Sequence, residues 1–593
     1  MTWEIGFVLA LTLVAVVLFV TEKFSTDVVA VLVMVVLLVS GILTPAEGFN
    51  GFANPATITV GAMFVLSAGL FRAGAVNFLG RALRRLARRS STLMLLVMML
   101  GVGALSLFLN NTATVAILIP VTMVVAQRVS TSPSKLLMPL SFASMFGGMC
   151  TVLGTSTNIL ASSMAQTAGL EPFGMFEFSK LGLIFFAVGV IYMMTVGRKI
   201  IPEHRTAGDL TKTFGLGDYL TELQLHEESP LVGQSLASAP LLEEFDIEVL
   251  QIIRGEDTLR PTPKTILREH DLLRIKGDLR TINELKERAQ ATLGMHMKWQ
   301  DSDLESKDSK LVEAIVGPSS PLAGRSLVES NPRKNYGVSV LAIRHHGALT
   351  HGELQNIKLM SGDTLLIEVP NSRIAHLIQQ RVFLLASSAG IPRFDGAKAA
   401  KGLVIIVSVV VSAAFGWLSI ASAAATGALL IVLSRCISME EAYAAIEWNV
   451  LFLLAGMLAL SVAMEKTGTS AMLAQGIIDV FGTMGPVALV AAFFGVTMVL
   501  TAVMSNQATV ALLIPVAITT AYSLDANPRT FMFAVMFAAS SSFMTPVGYQ
   551  TNTMIYGPGQ YRFMDFIRVG TPLTLIFWVL GTFLIPWFWP LYG

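Results

Sequence analysis

The sequence predicts a multi-spanning α-helical membrane protein that is an inverted repeat with two re-entrant hairpins and a cytoplasmic α+β insert. Three observations support this fold class. Hydrophobic residues make up 53% of the 593 residues and charged residues only 14%, against roughly 25% charged residues in soluble domains. Several apolar segments approach the ~18 residues typical of a spanning helix. The same polar motifs occur once in each hydrophobic half, which is typical of repeat architectures.

Composition divides the chain into a hydrophobic half, a polar insert and a second hydrophobic half. We predict the first membrane repeat at 1–200 with a hairpin at 92–127, insert domains at 205–290 and 308–385, and the second repeat at 400–593 with a hairpin at 484–522.

Charge and residue usage exclude several classes of protein. The 41 basic and 40 acidic residues give a net charge of +1, and the basic residues are scattered, so a nucleic-acid partner is not expected. The two cysteines, Cys150 and Cys436, lie in or beside apolar segments, which excludes a disulfide framework. All eight histidines lie in the insert, which excludes a histidine proton relay within the membrane halves.

Two pairs of motifs relate the hydrophobic halves. Asn110-Asn111-Thr112 matches Ser505-Asn506-Gln507 at an offset of 395 residues (505 against 110). Further along, Gly154-Thr155-Ser156-Thr157-Asn158 matches Gly548-Tyr549-Gln550-Thr551-Asn552 at an offset of 394 (548 against 154). Nearly equal offsets in two separate motifs indicate a true internal repeat.

A shorter repeat lies inside the insert. The segment beginning Ser229-Pro230 recurs from Ser320-Pro321 at an offset of 91 (320 against 229). Each copy continues into alternating β-branched residues and a turn containing aspartate. The insert is therefore predicted to contain two copies of a small α+β unit.

Basic residues in short loops give the orientation, because they concentrate on the cytoplasmic side. Five arginines of one loop assign it to the cytoplasm, and we interpret this loop as an interfacial helix. Five predicted crossings then follow in each half, so that the second half is inverted, the insert is cytoplasmic and both termini are external. The five residues are Arg81, Arg84, Arg85, Arg88 and Arg89.

The polar motifs interrupt apolar segments near the middle of the membrane, where backbone freed from helical bonding must find another partner. Broken helices offer N–H groups to an anion and carbonyl groups to a sodium ion. Asn, Ser, Thr and Gln oxygens complete a shell for a hard cation. Because the motifs contain no Asp or Glu, a cationic solute would lack a counter-ion, so the sequence favours cation-coupled anion transport.

The predicted site residues come from these four motifs. The predicted substrate-binding residues are Asn110, Asn111, Thr112, Ser156, Thr157, Ser505, Asn506, Gln507, Gln550 and Thr551. The predicted sodium ligands are Asn111, Gly154, Asn158, Ser505, Asn506, Gly548 and Asn552. Sodium is the coupling ion, and no cofactor and no catalytic residue is predicted.

These motifs make both membrane halves resemble the divalent anion:sodium symporter family, solute carrier family 13 type. The resemblance implies a homodimer with an elevator-type transport domain and sodium-coupled uptake of sulfate or of di- and tricarboxylates. The sequence departs from the Ser-Asn-Thr pattern of the family at Asn110 and Gln507, whereas the segment from Thr545 to Asn552 resembles that of sulfate-type members. Sulfate is therefore the expected substrate, and a dicarboxylate is the alternative.

The insert resembles a tandem pair of TrkA-C regulatory domains. This resemblance implies a small regulatory ligand, such as a cyclic dinucleotide, or a role in dimer contacts. No Gly-x-Gly-x-x-Gly motif precedes the units, so NAD binding is not expected.

Two other functions stay open from the sequence. One is a ligand-gated potassium channel, since Thr545 to Gln550 is superficially similar to a selectivity filter, although a proline interrupts the pattern. The other is an anion sensor that signals through the insert. An enzyme is not expected, because no motif combines a nucleophile, a base and an orienting acid. The expected location is the inner or plasma membrane.

Overall fold

In this computed structural model, the membrane halves are described almost completely and the insert with short gaps. The described residues are 2–21, 24–72, 90–129, 131–203, 220–239, 247–255, 257–259, 261–276, 288–293, 309–317, 320–345, 348–350, 354–379, 382–385 and 396–592, together with 80, 83, 86, 244, 282, 284 and 285. All five arginines of the predicted interfacial helix, Arg81, Arg84, Arg85, Arg88 and Arg89, lie outside these ranges.

The first half is helical. Its helices are α1 (Trp3–Thr21), α2 (Thr26–Val39), α3 (Pro45–Ala53), α4 (Pro55–Arg72), α5 (Ser91–Ser106), α6 (Asn111–Arg128), α7 (Ser134–Gly148), α8 (Ser156–Thr167) and α9 (Ser179–Tyr192). Helix α9 continues through a π-helical turn, Met193–Gly197, into Arg198–Ile200.

The second half repeats this order. The insert contributes three short helices, α10 (Leu327–Ser330), α11 (Pro332–Asn335) and α12 (Asn371–Gln379). The membrane helices that follow are α13 (Gly396–Ala414), α14 (Ile420–Leu433), α15 (Met439–Ala445), α16 (Trp448–Thr467), α17 (Thr469–Phe481), α18 (Pro486–Thr501), α19 (Asn506–Ser523), α20 (Pro528–Ser540), α21 (Gln550–Tyr556) and α22 (Phe563–Phe588).

Several of these helices are long and apolar enough to cross a membrane. Within the described ranges six candidate spans are found, and the pair α17 and α18, bent by 117°, is either a broken span or a re-entrant loop. The six are Trp3–Thr21, Pro45–Arg72, Ser179–Ile200, Gly396–Ala414, Trp448–Thr467 and Phe563–Phe588. The chain is therefore a multi-pass membrane protein.

Equivalent helices of the two halves begin with the same local devices. Thr44 caps α3 in a capping box with Glu47, and Ser438 caps α15 in a capping box with Glu441. Both pairs are related by the offset of 394 seen in the sequence (438 against 44). A capping box satisfies backbone N–H groups that the first helical turn leaves free.

The two halves exchange equivalent contacts with each other. Helix α2 packs on α16, and the equivalent helix α14 packs on α4. Arg72 forms an ion pair with Glu441 at 2.8 Å, and Lys466 forms one with Glu47 at 2.8 Å. Arg72 and Lys466 are equivalent positions, as are Glu47 and Glu441, so the pattern is that of an isologous contact. The halves are thus related by a pseudo-two-fold axis.

The insert contains two antiparallel sheets with the same strand order. The first is β3-β2-β4-β1-β5 and the second is β8-β7-β9-β6-β10. The strands are β1 (Leu220–Leu225), β2 (Glu248–Arg254), β3 (Asp257–Leu259), β4 (Leu272–Lys276), β5 (Ala291–Leu293), β6 (Ser309–Ile315), β7 (Ser339–His345), β8 (Ala348–Thr350), β9 (Thr364–Pro370) and β10 (Leu384–Leu385).

Local details show that the two sheet units are copies. The bulge between Val249 and Gln251 recurs between Val340 and Ala342, at the offset of 91. In the first unit Arg254 binds the buried Asp271 through both Nε and Nη2, at 2.7 Å each, which raises the pKa of Arg254. The second unit has a histidine in place of this arginine: His345 Nδ1 lies 2.8 Å from Asp363.

A small apolar cluster joins the two sheet units. It combines Leu220 and Leu250 of the first unit with their equivalents Leu311 and Leu341 of the second. The insert thus has its own internal pseudo-symmetry, which is independent of that of the membrane halves.

Candidate functional site

Four non-helical segments meet between the membrane halves. Tip 1 (107–112) separates α5 from α6, and tip 2 (502–507) separates α18 from α19. Each tip includes the first residues of the helix that follows it. Break 1 (149–158) and break 2 (541–552) separate α7 from α8 and α20 from α21 in the same way.

The first residue of each predicted tip motif caps a helix. Asn110 Oδ1 accepts hydrogen bonds from the backbone N–H groups of Thr112, at 2.8 Å, and Ala113, at 3.3 Å. Ser505 Oγ accepts one from the N–H of Ala508 at 3.3 Å. Asparagine and serine are interchangeable as N-caps because each offers a short side-chain oxygen. This explains why tip 1 can begin with Asn110 in place of serine.

A threonine fastens each break to the tip of its own repeat. The hydroxyl of Thr151 donates to the carbonyl of Leu107, and that of Thr545 donates to the carbonyl of Ala502. The same two hydroxyls accept from the N–H groups of Gly154 and Gly548, at 3.1 Å each. A tip and the adjacent break therefore form one unit.

Glycine is required at the turn of break 1. A Cβ on Gly154 would lie 2.5 Å from the carbonyl oxygen of Gly148. No side chain can be accommodated at that separation, so only glycine lets the backbone at position 154 pack against the backbone of Gly148.

Each tip also binds the break of the other repeat. Thr112 Oγ1 donates to Gln550 Oε1 at 3.0 Å, and Gln507 Nε2 donates to Ser156 Oγ at 3.0 Å. Thr112 and Gln507 are equivalent positions, as are Gln550 and Ser156, so these two bonds are related by the pseudo-two-fold axis. A third bond without a described counterpart joins Asn111 Nδ2 to Tyr549 Oη at 2.9 Å.

The asparagines at the two tips differ in how their oxygens are used. Asn506 Oδ1 accepts a hydrogen bond from the hydroxyl of Thr501 at 2.7 Å. Thr501 is replaced by Ser106 in the first repeat, and there the equivalent bond is missing. Among the described residues, Asn111 Oδ1 and Ser106 Oγ are both buried without a hydrogen-bond partner. An unpaired buried oxygen costs about 1–3 kcal/mol, which a coordinated cation would offset.

The asparagines of the breaks bind backbone groups instead. Asn158 Nδ2 donates to the carbonyl of Thr151 at 2.9 Å, and Asn552 Nδ2 donates to the carbonyls of Ser542 and Thr545. Asn552 Oδ1 also accepts from the hydroxyl of Ser141 at 2.7 Å. In this structure these two residues hold the breaks in shape.

The electrostatics of the site come from backbone dipoles. None of the residues in the two tips and two breaks is charged. Helices α6, α8 and α19 begin at Asn111, Ser156 and Asn506. Helix N-termini carry partial positive charge, so this arrangement favours an anion between the tips.

Every residue predicted for the site lies in the tips and breaks, but the residues fall into two layers. Asn110, Ser505, Gln507 and Gln550 are half-buried, whereas Asn111, Thr112, Gly154, Ser156, Thr157, Asn158, Asn506, Gly548, Thr551 and Asn552 are buried. Thr157 accepts from Thr155 Oγ1 at 3.2 Å, and the hydroxyls of Thr551 and Ser141 lie within hydrogen-bonding distance, 2.8 Å apart.

The sequence motifs did not predict the contributions of Tyr549, Ser141, Thr501 and the pair Thr151 and Thr545. The pair could have been found, since the two threonines stand at the offset of 394 and each precedes its glycine by three residues. Ser141 carries no such signal, because the equivalent position in the second repeat is Val535.

The fold and site define a multi-pass transporter-type membrane protein with two pseudo-symmetric halves that share one uncharged polar site. The family model described as "Citrate transporter" matches residues 16–535, and the chain belongs to this family. Several homologues carry the names of transporters, which is consistent with a protein that is not an enzyme.

Individual relatives extend the comparison over nearly the whole chain. An "Uncharacterized transporter" of Synechocystis sp. is 39% identical, covering 97% of this chain and 95% of the relative. A "Putative sulfur deprivation response regulator" of Chlamydomonas reinhardtii is 30% identical, covering 91% and 94%. A "Sodium/sulfate cotransporter 2" of the same alga is 21% identical, covering 98% and 89%.

Proposed function

We propose that the protein is a sodium-coupled symporter of a small divalent oxyanion, with sulfate as the preferred substrate. The anion binds between tip 1, tip 2 and the two breaks, and sodium binds at Asn111. The tips and breaks move together past the remaining helices in an elevator-type alternating-access cycle.

One observation supports this proposal above the others. The uncharged donors Thr112 and Gln507, one from each repeat, reach across to Gln550 and Ser156 of the opposite repeat. An oxyanion that enters between them can accept the hydrogen bonds that these donors now make to Gln550 and Ser156. The unpaired oxygen of Asn111 lies on tip 1, and that of Ser106 lies at the end of α5, directly before this tip. Anion donors and cation acceptors are therefore side by side, as symport requires.

Charge favours sulfate over citrate within the family. A tricarboxylate carries a larger charge than a sulfate ion and needs basic residues or several cations to neutralise it. The tips and breaks contain no Lys or Arg. The name of the algal sodium/sulfate cotransporter points to the same substrate. A dicarboxylate is the next candidate.

The proposal includes the membrane arrangement expected from the sequence. The insert lies in the cytoplasm, both termini are external, the chain forms a homodimer in the cell or plasma membrane, and the TrkA-C-like insert regulates transport or contributes to the dimer.

Uptake into proteoliposomes tests the proposal. Radiolabelled sulfate should accumulate when sodium is outside and should not accumulate when potassium or choline replaces it. Unlabelled sulfate should compete at least tenfold better than citrate or succinate. Accumulation that is unaffected by removing sodium, or that is inhibited more strongly by citrate, would overturn the proposed coupling or substrate.

A sensor of external anion is the second candidate, because one relative is named as a putative sulfur deprivation response regulator. The two functions differ in whether the protein carries sulfate across the membrane. A transporter that lacks residues 205–390 should retain measurable sodium-driven uptake, whereas a sensor shows no uptake with or without the insert.

A further inference from the structure

We propose that Tyr549 is a positioning residue that orients the amide of Asn111 and so presents its oxygen to the coupling sodium ion. This inference rests on the proposed function and deepens it, because it assigns the cation site to one repeat and gives a role to a residue outside the predicted site.

The hydrogen bond between these residues fixes which end of the amide faces the site. Thr155 donates its own hydroxyl proton to Thr157, so it accepts from the Tyr549 hydroxyl. Tyr549 Oη is then left to accept from Asn111 Nδ2 at 2.9 Å, and Asn111 Oδ1 points the other way. Asn111 is only 3% exposed, and among the described residues its Oδ1 is without a partner. An asparagine binds a hard cation through its oxygen only. The bond to Tyr549 therefore places the amide in the orientation that sodium needs.

The second repeat shows that this arrangement is specific to the first. The position equivalent to Tyr549 is Thr155, which caps its own helix by accepting from the N–H of Thr157 and hydrogen-bonds to Tyr549, not to Asn506. Asn506 has its oxygen occupied by Thr501 at 2.7 Å. The two tips are thus unequal, and the one at Asn111 has the open acceptor.

The variant Tyr549→Phe removes only the hydroxyl and leaves the ring in place. The sodium concentration for half-maximal sulfate uptake should rise about tenfold, equivalent to about 1.4 kcal/mol. The maximal rate at saturating sodium and the melting temperature in choline should change little. Tyr522→Phe is the control, since that side chain is 54% exposed at the end of α19.

A second substitution separates orientation from a general structural effect. In an Asn111→Asp background both ends of the side chain are oxygens, so the orientation no longer matters. Tyr549→Phe should then change the sodium half-saturation by less than twofold. An equal tenfold loss in both backgrounds, or no change in either, would overturn the positioning role. A wild-type protein without sodium-driven uptake would instead contradict the proposed function.

A separate observation leads to a second inference. We propose that the insert controls the site directly through α21. This helix is seven residues long, about 10 Å, with Gln550 of the site at one end and Tyr556 at the other.

The turn before β9 packs against the far end of this helix. A Cβ on Gly362 would lie 2.2 Å from the carbonyl oxygen of Thr553 in α21, and one on Gly557 would lie 2.2 Å from the carbonyl oxygen of Gly362. The same Gly557 Cβ would lie 2.5 Å from Thr364 Oγ1. The two glycines thus let the backbone of this turn and that of α21 pack directly against each other, so we expect a shift of the turn to move α21 or to break the contact.

The insert also contacts tip 1 through its helix. Strand β10 lies against α6, the helix that begins at Asn111, and Ile315 of β6 belongs to the large apolar core of the membrane halves. The second sheet unit thus contacts both a tip helix and a break helix. A conformational change in the insert would therefore be transmitted to the anion-binding and sodium-binding residues through α21 and α6.

Glycine substitutions provide a matched test. Gly557 has φ −64°, so alanine fits its backbone, and the three atoms nearest to the added Cβ all belong to the insert. Gly557→Ala should raise the KM for sulfate at least fivefold in the whole chain and less than twofold in a chain lacking residues 205–390. Gly476→Ala, at a position in α17 where a Cβ meets nothing within 4 Å, is the control.

A second pair keeps the test decisive if the shortened chain does not transport. Gly362 and Gly324 both have left-handed backbones, with φ +92° and +80°, but a Cβ on Gly324 meets nothing within 4 Å. Gly362→Ala should alter sulfate uptake at least fivefold more than Gly324→Ala. Equal effects within the pair, or an equal effect of Gly557→Ala with and without the insert, would overturn the coupling.

Discussion

The unequal asparagines of the two tips give a prediction about stability. Asn111→Ala removes a buried oxygen that is unpaired without sodium, together with one hydrogen bond to Tyr549. The unpaired oxygen costs about 1–3 kcal/mol and the lost bond contributes about 1 kcal/mol. In choline the two terms leave a net change of about 0–2 kcal/mol in favour of the variant, which should therefore unfold at or slightly above the wild-type temperature.

Sodium should separate the two proteins. An ion that binds only the folded state adds about 2.7 kcal/mol of stability when its concentration is one hundred times its Kd. The wild-type protein should gain this increment, and Asn111→Ala should lose nearly all of it. The assay is thermal unfolding of the purified protein in sodium chloride against choline chloride, followed by tryptophan fluorescence.

Asn506→Ala provides the comparison for this experiment. It removes the acceptor of the Thr501 hydroxyl, which keeps only the carbonyl of Ala539 at 3.1 Å as an acceptor. A loss of about 1 kcal/mol is expected in both salts. An undiminished sodium increment in Asn111→Ala would refute the assignment of the cation site to tip 1.

Three further predictions follow from other contacts. Gln507→Ala should raise the KM for sulfate about tenfold, or about 1.4 kcal/mol, because it removes a donor to Ser156. Uptake measured at varied sulfate concentrations tests this change. Thr519→Val is the control, since in the described contacts the Thr519 hydroxyl binds only a carbonyl of its own helix. Thr545→Val should lower the maximal uptake at least tenfold, because break 2 loses its attachment to Ala502 while the side-chain volume is kept; an unchanged rate would contradict this role. Arg254→Ala should destabilise the first sheet unit by about 2 kcal/mol, because it leaves the buried carboxylate of Asp271 without its partner. The loss is smaller than the roughly 3–5 kcal/mol for a fully buried pair, since the arginine side chain is 26% exposed. Faster proteolysis within the insert of the whole protein measures this loss.

Much of the membrane fold was accessible from the sequence because the repeat is visible in it. The offset of 394–395 between Asn111 and Asn506 and between Asn158 and Asn552 predicts that equivalent helices begin at equivalent residues, and they do. Composition alone indicated a membrane protein, and this is confirmed by the apolar helices and the family.

The partners of the site residues were harder to predict. A motif shows that Gln507 is polar, but only the crossed packing of the halves shows that it meets Ser156. The same motif shows nothing of whether an oxygen is already occupied, as at Asn506, or unpaired, as at Asn111. That difference accompanies the change from Thr501 to Ser106 in the preceding helix, since only the threonine hydroxyl bonds the asparagine of its tip.

The capping roles of Asn110 and Ser505 illustrate a second reason. Both residues stand in motifs that favour ligand binding and in positions that favour helix capping, and local sequence does not separate these uses. In the structure their oxygens bind backbone N–H groups.

The central claim is that the anion lies between the tips and breaks of opposite repeats. A high-resolution map of the protein in lipid nanodiscs with sodium sulfate tests it most directly. The account predicts tetrahedral density within hydrogen-bonding distance of Thr112, Gln550, Gln507 and Ser156, with a smaller density beside Asn111 Oδ1. Density elsewhere, or none between these residues at sulfate concentrations that saturate uptake, would contradict it.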